Sequence, residues 1–479
     1  MRIQFDETNL LADLVGGAHG LSRAEIKGSA GLASDSLKAV RRISEKGVQG
    51  FPHLPFQDAT IKSIRKYARQ VKGSYDTVCV VGIGGSALGA WALDCGMRGP
   101  HPVQGEFSEK NPRLVILDNV DPSFVSAALK SMTPKRTLVV TVAKSGSTAE
   151  TLATHLVVEE WLRKSLGGKK ASRHIAVVTS EGKGDLAALA GREGYRTFAL
   201  PENVGGRFSV LSAVGLLPAA LIGIDVRDLA KGAAAMTHTC WQADLGENTA
   251  LRAALCHYLI WTRRNKPIQV AFPYANRFWG LALWFRQLWA ESLGKAKDRA
   301  GKVVNVGQTP VVALGATDQH SQVQLYVEGP NDKVFTFWAV EKYPASCRIP
   351  KVRPGLAAFD YLAGQSLDKL IDAERRATAA ALVEAQRPNC TFTLGRIDAE
   401  HLGAFLQLME FETAFVGEML NIDAFNQEGV ELGKKFTFGL MGRKGYEEYR
   451  GKFQAYEKKR AGPGEAKPRR KAASSAARG

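Results

Sequence analysis

Residues Thr77–Ser86 have the sequence TVCVVGIGGS, and this stretch decides the expected fold. The run Thr77–Val81 is apolar and β-branched almost throughout, which predicts a strand buried on both faces. The glycines that follow predict a tight turn, and a helix is expected from Ser86 towards Cys95. A strand, a glycine turn and a helix in this order begin a βαβ unit of a parallel sheet.

The same alternation continues beyond this stretch and predicts a parallel sheet covered by helices on both faces. Helices are expected after Pro122 and at Ala149 to about Leu166. The further strands of this sheet are expected at Leu114–Leu117, Leu138–Val142, Ile175–Val178 and Thr197–Leu200.

The pattern begins again after a helical stretch at about 209–263. Strands are expected at Ile268–Phe272, Val303–Val306 and Val334–Val340, and helices at Phe278–Leu293, Glu400–Leu420 and Glu428–Lys435. The fold class is therefore α/β, with two doubly wound parallel-sheet domains of which the second is less regular, and with helical N- and C-terminal segments.

Composition and charge agree with a globular protein that binds an anion. The chain has 479 residues, of which 45% are hydrophobic and 23% charged, enough for two to three domains. Of the net charge of +17, residues 458–479 hold +7 and the other 457 residues +10, which suits an anionic substrate. The tail has no aromatic or β-branched residue and is expected to be disordered. It could contact nucleic acid, although a solvated extension is the favoured interpretation.

Other features point to the cytoplasm. The six cysteines are scattered without a CxxC pair, which argues against disulfides and a zinc cluster. The longest nearly apolar stretch, Ser209–Ile224, is too short to span a bilayer, and no secretory signal is recognisable at the N-terminus. His, Asp and Glu form no cluster with metal-ligand spacing, so neither a metal nor another cofactor is expected.

Two loops are expected to bind phosphate. Gly82–Ser86 and Lys144–Thr148 each join the end of a strand to the start of a helix. Helix N-termini offer free N–H groups to anions, and ligands bind beyond the carboxyl ends of parallel strands. The alternative is that the hydroxyls of the second loop only cap their helix.

The first loop also permits a different class of enzyme. Gly82, Gly84 and Ala87 satisfy the GxGxxA form of the dinucleotide fingerprint, and Asp118 could hold a ribose. The double glycine followed by Ser86 is better suited to a phosphate monoester, and the KSGST loop has no role in dinucleotide binding.

Two charged residues are candidates for catalysis. Arg207 follows two glycines at a helix start, where it could meet a developing oxyanion. Glu291 shares a helical face with Trp284 and Leu288, and a carboxylate beside apolar side chains can act as a base. The alternatives are a structural salt bridge for Arg207 and a surface position for Glu291.

Three more residues are weaker candidates on pattern alone. His320 is one of nine histidines, and a lone histidine is more often structural. Gln427 and Lys434 are seven residues apart and would share one face of a helix, where a lysine is usually exposed.

Taken together, six segments in this order resemble the glucose-6-phosphate isomerase family. They span most of the chain from about residue 50 to 440, and the GGRFS and GVELGK segments are very specific to that family. The segments are VVGIGGSALGA (80–90), VAKSGSTAET (142–151), GGRFSVLSAVGLLPAA (205–220), QLWAESLGK (287–295), TDQHSQVQLYVEGPND (317–332) and FNQEGVELGKK (425–435).

The resemblance implies an aldose–ketose isomerase of glycolysis that interconverts glucose 6-phosphate and fructose 6-phosphate through a cis-enediol. It implies two sugar-isomerase domains, which we expect at 59–230 and 231–442, after an N-terminal segment 1–58 and before an extension 443–479 that is disordered from about 458. It also implies a homodimer whose subunits complete each other's sites. A relative that acts on mannose 6-phosphate and a DNA-binding sugar-phosphate sensor are the alternatives.

The resemblance also implies residue roles. Glu291 matches the general base, Arg207 the group that stabilises the enediolate, and His320 with Lys434 the ring-opening pair. His320 is expected from the neighbouring subunit, oriented by Glu150. The substrate and its phosphate are expected at Gly85, Ser86, Lys144, Ser145, Gly146, Ser147, Thr148, Gln287 and Gln427.

Overall fold

A computed structural model describes residues 3–99, 111–144, 146 and 148–461. The chain begins with strand β1 (Ile3–Asp6) and with helices α1 (Ala12–Val15), α2 (Arg23–Gly28), α3 (Ala30–Glu45) and α4 (Asp58–Gln70). The N-terminal segment is thus helical as expected, except for β1. This short strand was not recognised in the sequence because it pairs with residues 391–394, far along the chain.

The first sheet contains the five expected strands. They are β2 (Thr77–Val81), β3 (Arg113–Leu117), β4 (Thr137–Val142), β5 (Ile175–Thr179) and β6 (Arg196–Ala199). All neighbouring pairs are parallel, and the spatial order β3-β2-β4-β5-β6 confirms the doubly wound arrangement. The helices that alternate with these strands along the chain are α5 (Gly85–Arg98), α6 (Pro122–Ser131), α7 (Ala149–Leu166), α8 (Gly168–Ser172) and α9 (Asp185–Glu193).

The helical stretch between the sheets consists of α10 (Ala213–Leu221), α11 (Val226–Cys240) and α12 (Thr249–Arg264). Helix α10 is buried along almost its whole length, which explains the unbroken apolar sequence around it.

The strands of the second half of the chain are β7 (Ile268–Pro273), β8 (Lys295–Lys297), β9 (Val303–Val306), β10 (Thr309–Val312), β11 (Lys333–Lys342) and β12 (Asn389–Arg396). The second sheet has the order β1-β12-β11-β7-β10 and is parallel except for β1. The expected strand Val303–Val306 exists, but it pairs antiparallel with β8 outside this sheet. The helices are α13 (Trp279–Leu293), α14 (Val323–Glu328), α15 (Ala357–Asp360), α16 (Leu367–Glu384) and α17 (Ala399–Met419).

Residues up to Phe425 form one compact unit, and the chain from Asn426 forms a second. The second unit contains α18 (Glu431–Leu440) and α19 (Glu447–Ala461). Disorder was expected from about residue 458, but helix α19 continues to Ala461. The basic side chains in its last turn interact favourably with the helix dipole. The rest of the tail, 462–479, lies outside the described residues.

Helix α5 follows β2 of the first sheet, and helix α13 follows β7 of the second sheet. The two helices pack against each other in antiparallel directions and so connect the two sheets. At one end Gly280 is so close to α5 that an added Cβ would lie 2.9 Å from the Cβ of Cys95. At the other end the start of α5 faces Gln287. The carboxyl edge of the first sheet therefore meets the C-terminal half of α13.

The structure also shows the state of the cysteines and the character of the helices. All six cysteines are free thiols, and only Cys347 is exposed. Among the described residues, no helix has the length and apolar character needed to cross a membrane.

Substituting Gly403 with alanine should destabilise the protein. A Cβ at Gly403 in α17 would lie 2.0 Å from the carbonyl oxygen of Leu229 in α11, so the two helices would have to separate. We expect a loss of about 1–3 kcal/mol, typical of overpacking in a core, measured as a lower midpoint of thermal or urea unfolding.

Gly191→Ala is the matched control, since Gly191 is also helical but an added Cβ meets nothing within 4 Å. Its stability should stay the same or rise slightly. Equal unfolding midpoints for the two variants would contradict the close approach of α11 and α17.

Candidate active site

The two predicted phosphate loops lie at the point where the order of the first sheet reverses. Strands β2 and β4 are neighbours, whereas β3 lies on the far side of β2. The loops after β2 and β4 therefore begin at the same crevice, where doubly wound sheets bind their ligands. In the first loop, Gly84 has φ +58°, a conformation that favours glycine, and it precedes the first residue of α5.

The glycine loop contacts two segments that are distant in the sequence. An added Cβ at Gly85 would lie 2.3 Å from the carbonyl atoms of Gly206 and 2.8 Å from the backbone nitrogen of Arg207. An added Cβ at Gly84 would lie 2.8 Å from Nε2 of Gln287. The absence of side chains at these two positions thus lets Arg207 and Gln287 reach the same crevice.

Arg207 is fixed in this crevice from several sides. It lies in the 3-10 helix Gly206–Phe208 and is only 2% exposed. Its Nε donates to Oγ of Ser292 over 2.7 Å, and its Nη2 donates to the carbonyl oxygen of Ala424 over 2.5 Å. Its Nη1 lies 3.7 Å from Oε2 of Glu291, the distance of an ion pair rather than of a direct hydrogen bond.

The electrostatic environment of Arg207 is that of a buried cation with acidic neighbours. Burial lowers the pKa of its guanidinium, and the charges of Glu291 and Asp423 oppose that shift. An arginine stays protonated in either case. The site therefore holds a permanent positive charge in a position with little access to water.

Glu291 is more accessible than Arg207. Its side chain is 34% exposed, and its Oε1 accepts a hydrogen bond of 3.1 Å from Nε2 of Gln287, one turn earlier on α13. Trp284 and Leu288, expected on the same face, are buried at 2% and 0% exposure. The carboxylate thus lies at the border between the apolar core and the open crevice, where a substrate can reach it.

The second loop is tied to the chain segment that leads into Arg207. Nζ of Lys144 donates to the carbonyl oxygens of Glu202 (2.7 Å) and Val204 (2.9 Å). Burial lowers the pKa of this lysine, and the charge of Glu202 opposes the shift. Lys144 therefore brings its charge to the loop while it holds residues 202–204 in place.

The hydroxyl groups of Thr148 in this loop and of Ser86 in the glycine loop do not cap their helices. Thr148 occupies the N-cap position of α7, but its side chain makes no capping hydrogen bond, and Ser86 follows rather than caps the start of α5. Gly146 has φ +62° and packs against the N-terminus of α9. Ser145 and Ser147, also expected to bind phosphate, lie outside the described residues.

His320 lies on a separate loop after β10, and hydrogen bonds of its neighbours hold this loop in place. Asp318 accepts a hydrogen bond of 2.7 Å from the backbone of Leu314, and Gln319 donates to the carbonyl oxygen of Glu374 over 3.2 Å. The His320 side chain itself is exposed. Within the described part of one chain, no hydrogen bond or ion pair joins it to Arg207 or Glu291.

The remaining candidates, Glu150, Gln427 and Lys434, lie in α7 and in the second unit. Glu150 is in the first turn of α7 and is half-buried. Gln427 and Lys434 belong to the second unit, where both are exposed and Nζ of Lys434 donates to Oε1 of Glu431 over 2.7 Å.

Ser292 and Ala424, whose oxygens accept hydrogen bonds from Arg207, were not identified from the sequence. Ser292 directly follows Glu291 in a segment already singled out, so its place beside the candidate base was the available signal. Ala424 had none, because it contributes only a backbone carbonyl. Over the described ranges, no three or more His, Cys, Asp or Glu side chains come together in a way that could hold a metal ion.

Two parallel sheets covered by helices, two helix N-termini at a switch point and a carboxylate beside a buried arginine form the arrangement expected of a sugar-phosphate isomerase. The family profile described as phosphoglucose isomerase matches residues 60–454. The chain is 44% identical to a glucose-6-phosphate isomerase of Carboxydothermus hydrogenoformans over 434 residues, 90% of this chain and 93% of that protein. It is 40% identical to one of Rubrobacter xylanophilus over 446 residues, 93% and 99% of the two chains.

Solved structures agree. A crystal structure of a hypothetical protein from Thermus thermophilus superposes with a TM-score of 0.83 at 36% identity, covering 92% of this chain and all of that one. A glucose-6-phosphate isomerase of Chlamydia trachomatis shares the fold, with a TM-score of 0.77 at 22% identity, covering 92% and 90%. The chain belongs to the phosphoglucose isomerase family. This confirms the resemblance seen in the six segments and removes the dinucleotide alternative.

Gly85→Ala should impair the site without unfolding the protein. The new Cβ would push on the carbonyl of Gly206 and shift Arg207. Because a displacement of about 1 Å can cost about 10²-fold, we expect a loss of that size in kcat/KM for sugar-phosphate isomerisation.

Gly205→Ala is the control, since a Cβ at Gly205 meets nothing within 4 Å and its φ of −70° suits alanine. The control should keep near-normal kinetics. If Gly85→Ala were as active as the control, the contact between the glycine loop and Arg207 would have no catalytic importance.

Proposed function

We propose that this protein interconverts glucose 6-phosphate and fructose 6-phosphate at the crevice formed by the glycine loop, Arg207 and α13. The observation that carries the proposal is the position of the accessible Glu291 carboxylate 3.7 Å from the buried Arg207 guanidinium, beside two helix N-termini. Membership of the phosphoglucose isomerase family supports the same reaction.

Glu291 is the general base in this proposal. An aldose–ketose shift moves a proton between C2 and C1, so one carboxylate can remove the proton from one carbon and return it to the other. Its partial exposure supports this role, because the substrate carbons must approach it. The hydrogen bond from Gln287 holds the carboxylate in one orientation.

Arg207 stabilises the negative charge that develops on the cis-enediolate oxygen. A fixed cation in a water-poor site interacts strongly with such a charge and needs little reorganisation when it forms. The burial of Arg207 and its hydrogen bonds to Ser292 and Ala424 support this role.

The phosphate binds at the two loops and takes no part in bond making. The helix N-termini, the charge of Lys144 and the hydroxyls of Ser86 and Thr148 suit a phosphate monoester, and we assign Ser145, Ser147 and Gln427 to the same group. Binding energy gained at the phosphate orients the reacting carbons.

Ring opening is assigned to His320 and Lys434, with His320 supplied by the partner subunit of a homodimer and Glu150 as its orienting carboxylate. An exposed imidazole on a loop held by Asp318 and Gln319 suits delivery into a neighbouring subunit. We also propose a cytoplasmic enzyme with sugar-isomerase domains at 59–230 and 231–442.

A coupled assay tests the reaction and its base. The protein is given fructose 6-phosphate, and glucose 6-phosphate is detected by NADP reduction with glucose-6-phosphate dehydrogenase. Glu291→Gln should lower turnover by about 10²-fold or more, as expected for loss of a general base, and EDTA should leave the wild-type rate unchanged.

Glu247→Gln, at an exposed glutamate before α12, controls for the loss of a negative charge. A folded wild-type protein without turnover would refute the proposed reaction. Full activity of Glu291→Gln would refute the role of Glu291, and inhibition by EDTA would refute the metal-free mechanism.

Hybrid dimers test the shared site. If Glu291 and the partner subunit's His320 form one site, a hybrid of Glu291→Gln and His320→Gln subunits contains one intact site and one site with both defects. An equal, randomly assorted mixture should recover about a quarter of wild-type activity, because half of its dimers are hybrids with one of two sites intact.

The control mixture combines Glu291→Gln with Arg207→Lys subunits. Glu291 and Arg207 face each other within one chain, so every site of such a hybrid carries one of the two defects. No recovery is expected for this control. Absence of recovery in the His320 mixture as well, with hybrids isolated by two affinity tags, would refute the shared site.

A further inference from the structure

We propose that Ser292 is a positioning residue, which holds the guanidinium of Arg207 in the orientation needed for catalysis and away from a tight ion pair with Glu291. This inference rests on the proposed roles of Arg207 and Glu291. It concerns a side chain that touches Arg207 rather than the substrate.

The first support is the burial of the contact. Ser292 is 0% exposed and Arg207 2% exposed, so water has little access to either side chain. Oγ of Ser292 accepts a hydrogen bond of 2.7 Å from Nε of Arg207. A charged N–H group that loses its partner in such a place keeps the full cost of its desolvation.

The second support is the geometry of the planar guanidinium. Ser292 holds Nε, and the carbonyl oxygen of Ala424 holds Nη2, which together fix the plane of the group. The third nitrogen, Nη1, is then 3.7 Å from Oε2 of Glu291. Without the hydroxyl, the guanidinium could turn towards this carboxylate and pair with it directly.

The third support is the position of Ser292 in the sequence. It directly follows Glu291 on α13, so one helix carries both the proposed base and the anchor of the proposed cation. A rigid helix keeps the distance between two such groups constant better than a loop does. The spacing of base and cation is thus built into α13.

Ser292→Ala should reduce kcat more than it changes KM. Arg207 acts on charge that develops only as the enediolate forms, so a misplaced guanidinium affects the transition state more than substrate binding. We expect kcat to fall about 10- to 100-fold, the range for a lost hydrogen bond to a charged group, with KM within about threefold. Steady-state kinetics by the coupled assay measure both.

Ser36→Ala is the matched control. Ser36 is a buried helical serine whose hydroxyl donates to the backbone oxygen of Ala33, and its loss should leave the kinetics unchanged. Ser292→Cys keeps the size of the side chain with a weaker acceptor and should fall between wild type and Ser292→Ala. It also keeps the test open if the alanine variant does not fold.

A double-mutant cycle separates positioning from a merely structural role. Arg207→Lys removes the Nε–H group whose hydrogen bond Ser292 accepts, so adding Ser292→Ala or Ser292→Cys to it should lower kcat by less than about twofold. If the serine only supports the fold, its effect on kcat will be the same in both backgrounds.

The outcomes distinguish this inference from the proposed function. Equal effects in the two backgrounds, or a wild-type kcat in a folded Ser292→Ala protein, would overturn the role of Ser292 while Glu291→Gln still abolished turnover. Full activity of Glu291→Gln would instead overturn the proposed function on which the inference rests.

Discussion

The site depends on close contact between two pieces of bare backbone, at Gly85 and Gly206. A Cβ at Gly85 would overlap the carbonyl of Gly206, so only glycine permits this approach. The contact places the N-terminus of α5 against the short helix that carries Arg207. The proposed phosphate loop at Gly82–Ser86 and the proposed charge-stabilising Arg207 therefore share one crevice, although they are more than 100 positions apart in the chain.

Helix α13 provides the other half of the site. It packs against α5 and presents Glu291 and Ser292 towards Arg207, while Gln287 donates a hydrogen bond to Glu291. A buried cation is costly unless it is paired and hydrogen-bonded, and these contacts meet that requirement for Arg207. At the same time the carboxylate remains partly exposed, so the arrangement keeps both a stable charge and access for a substrate.

Sequence patterns located most elements correctly where the signal was local. Strands β2 to β6 appear in the structure within a residue or so of their expected bounds. The signal is clearest for β2, β4 and β5, which are buried on both faces and therefore continuously apolar. Strands β1, β8, β10 and β12 were not recognised, since each depends on the strands with which it pairs. Val303–Val306 was recognised as a strand but belongs to a two-stranded ribbon, because periodicity does not specify a pairing partner.

The sequence by itself determined the chemical groups and their local setting: two glycine- and hydroxyl-containing turns at helix starts, an arginine after two glycines and a glutamate on an apolar helix. Only the tertiary structure decided that Arg207 meets Glu291 and that Ser292 and Ala424 hold the Arg207 guanidinium. The same is true of the hydrogen bonds from Lys144 to the backbone carbonyls of residues 202–204, just before Arg207. The reason is physical. Turns and helices follow from interactions between residues a few positions apart, whereas these contacts join distant segments and arise only when the helices have packed.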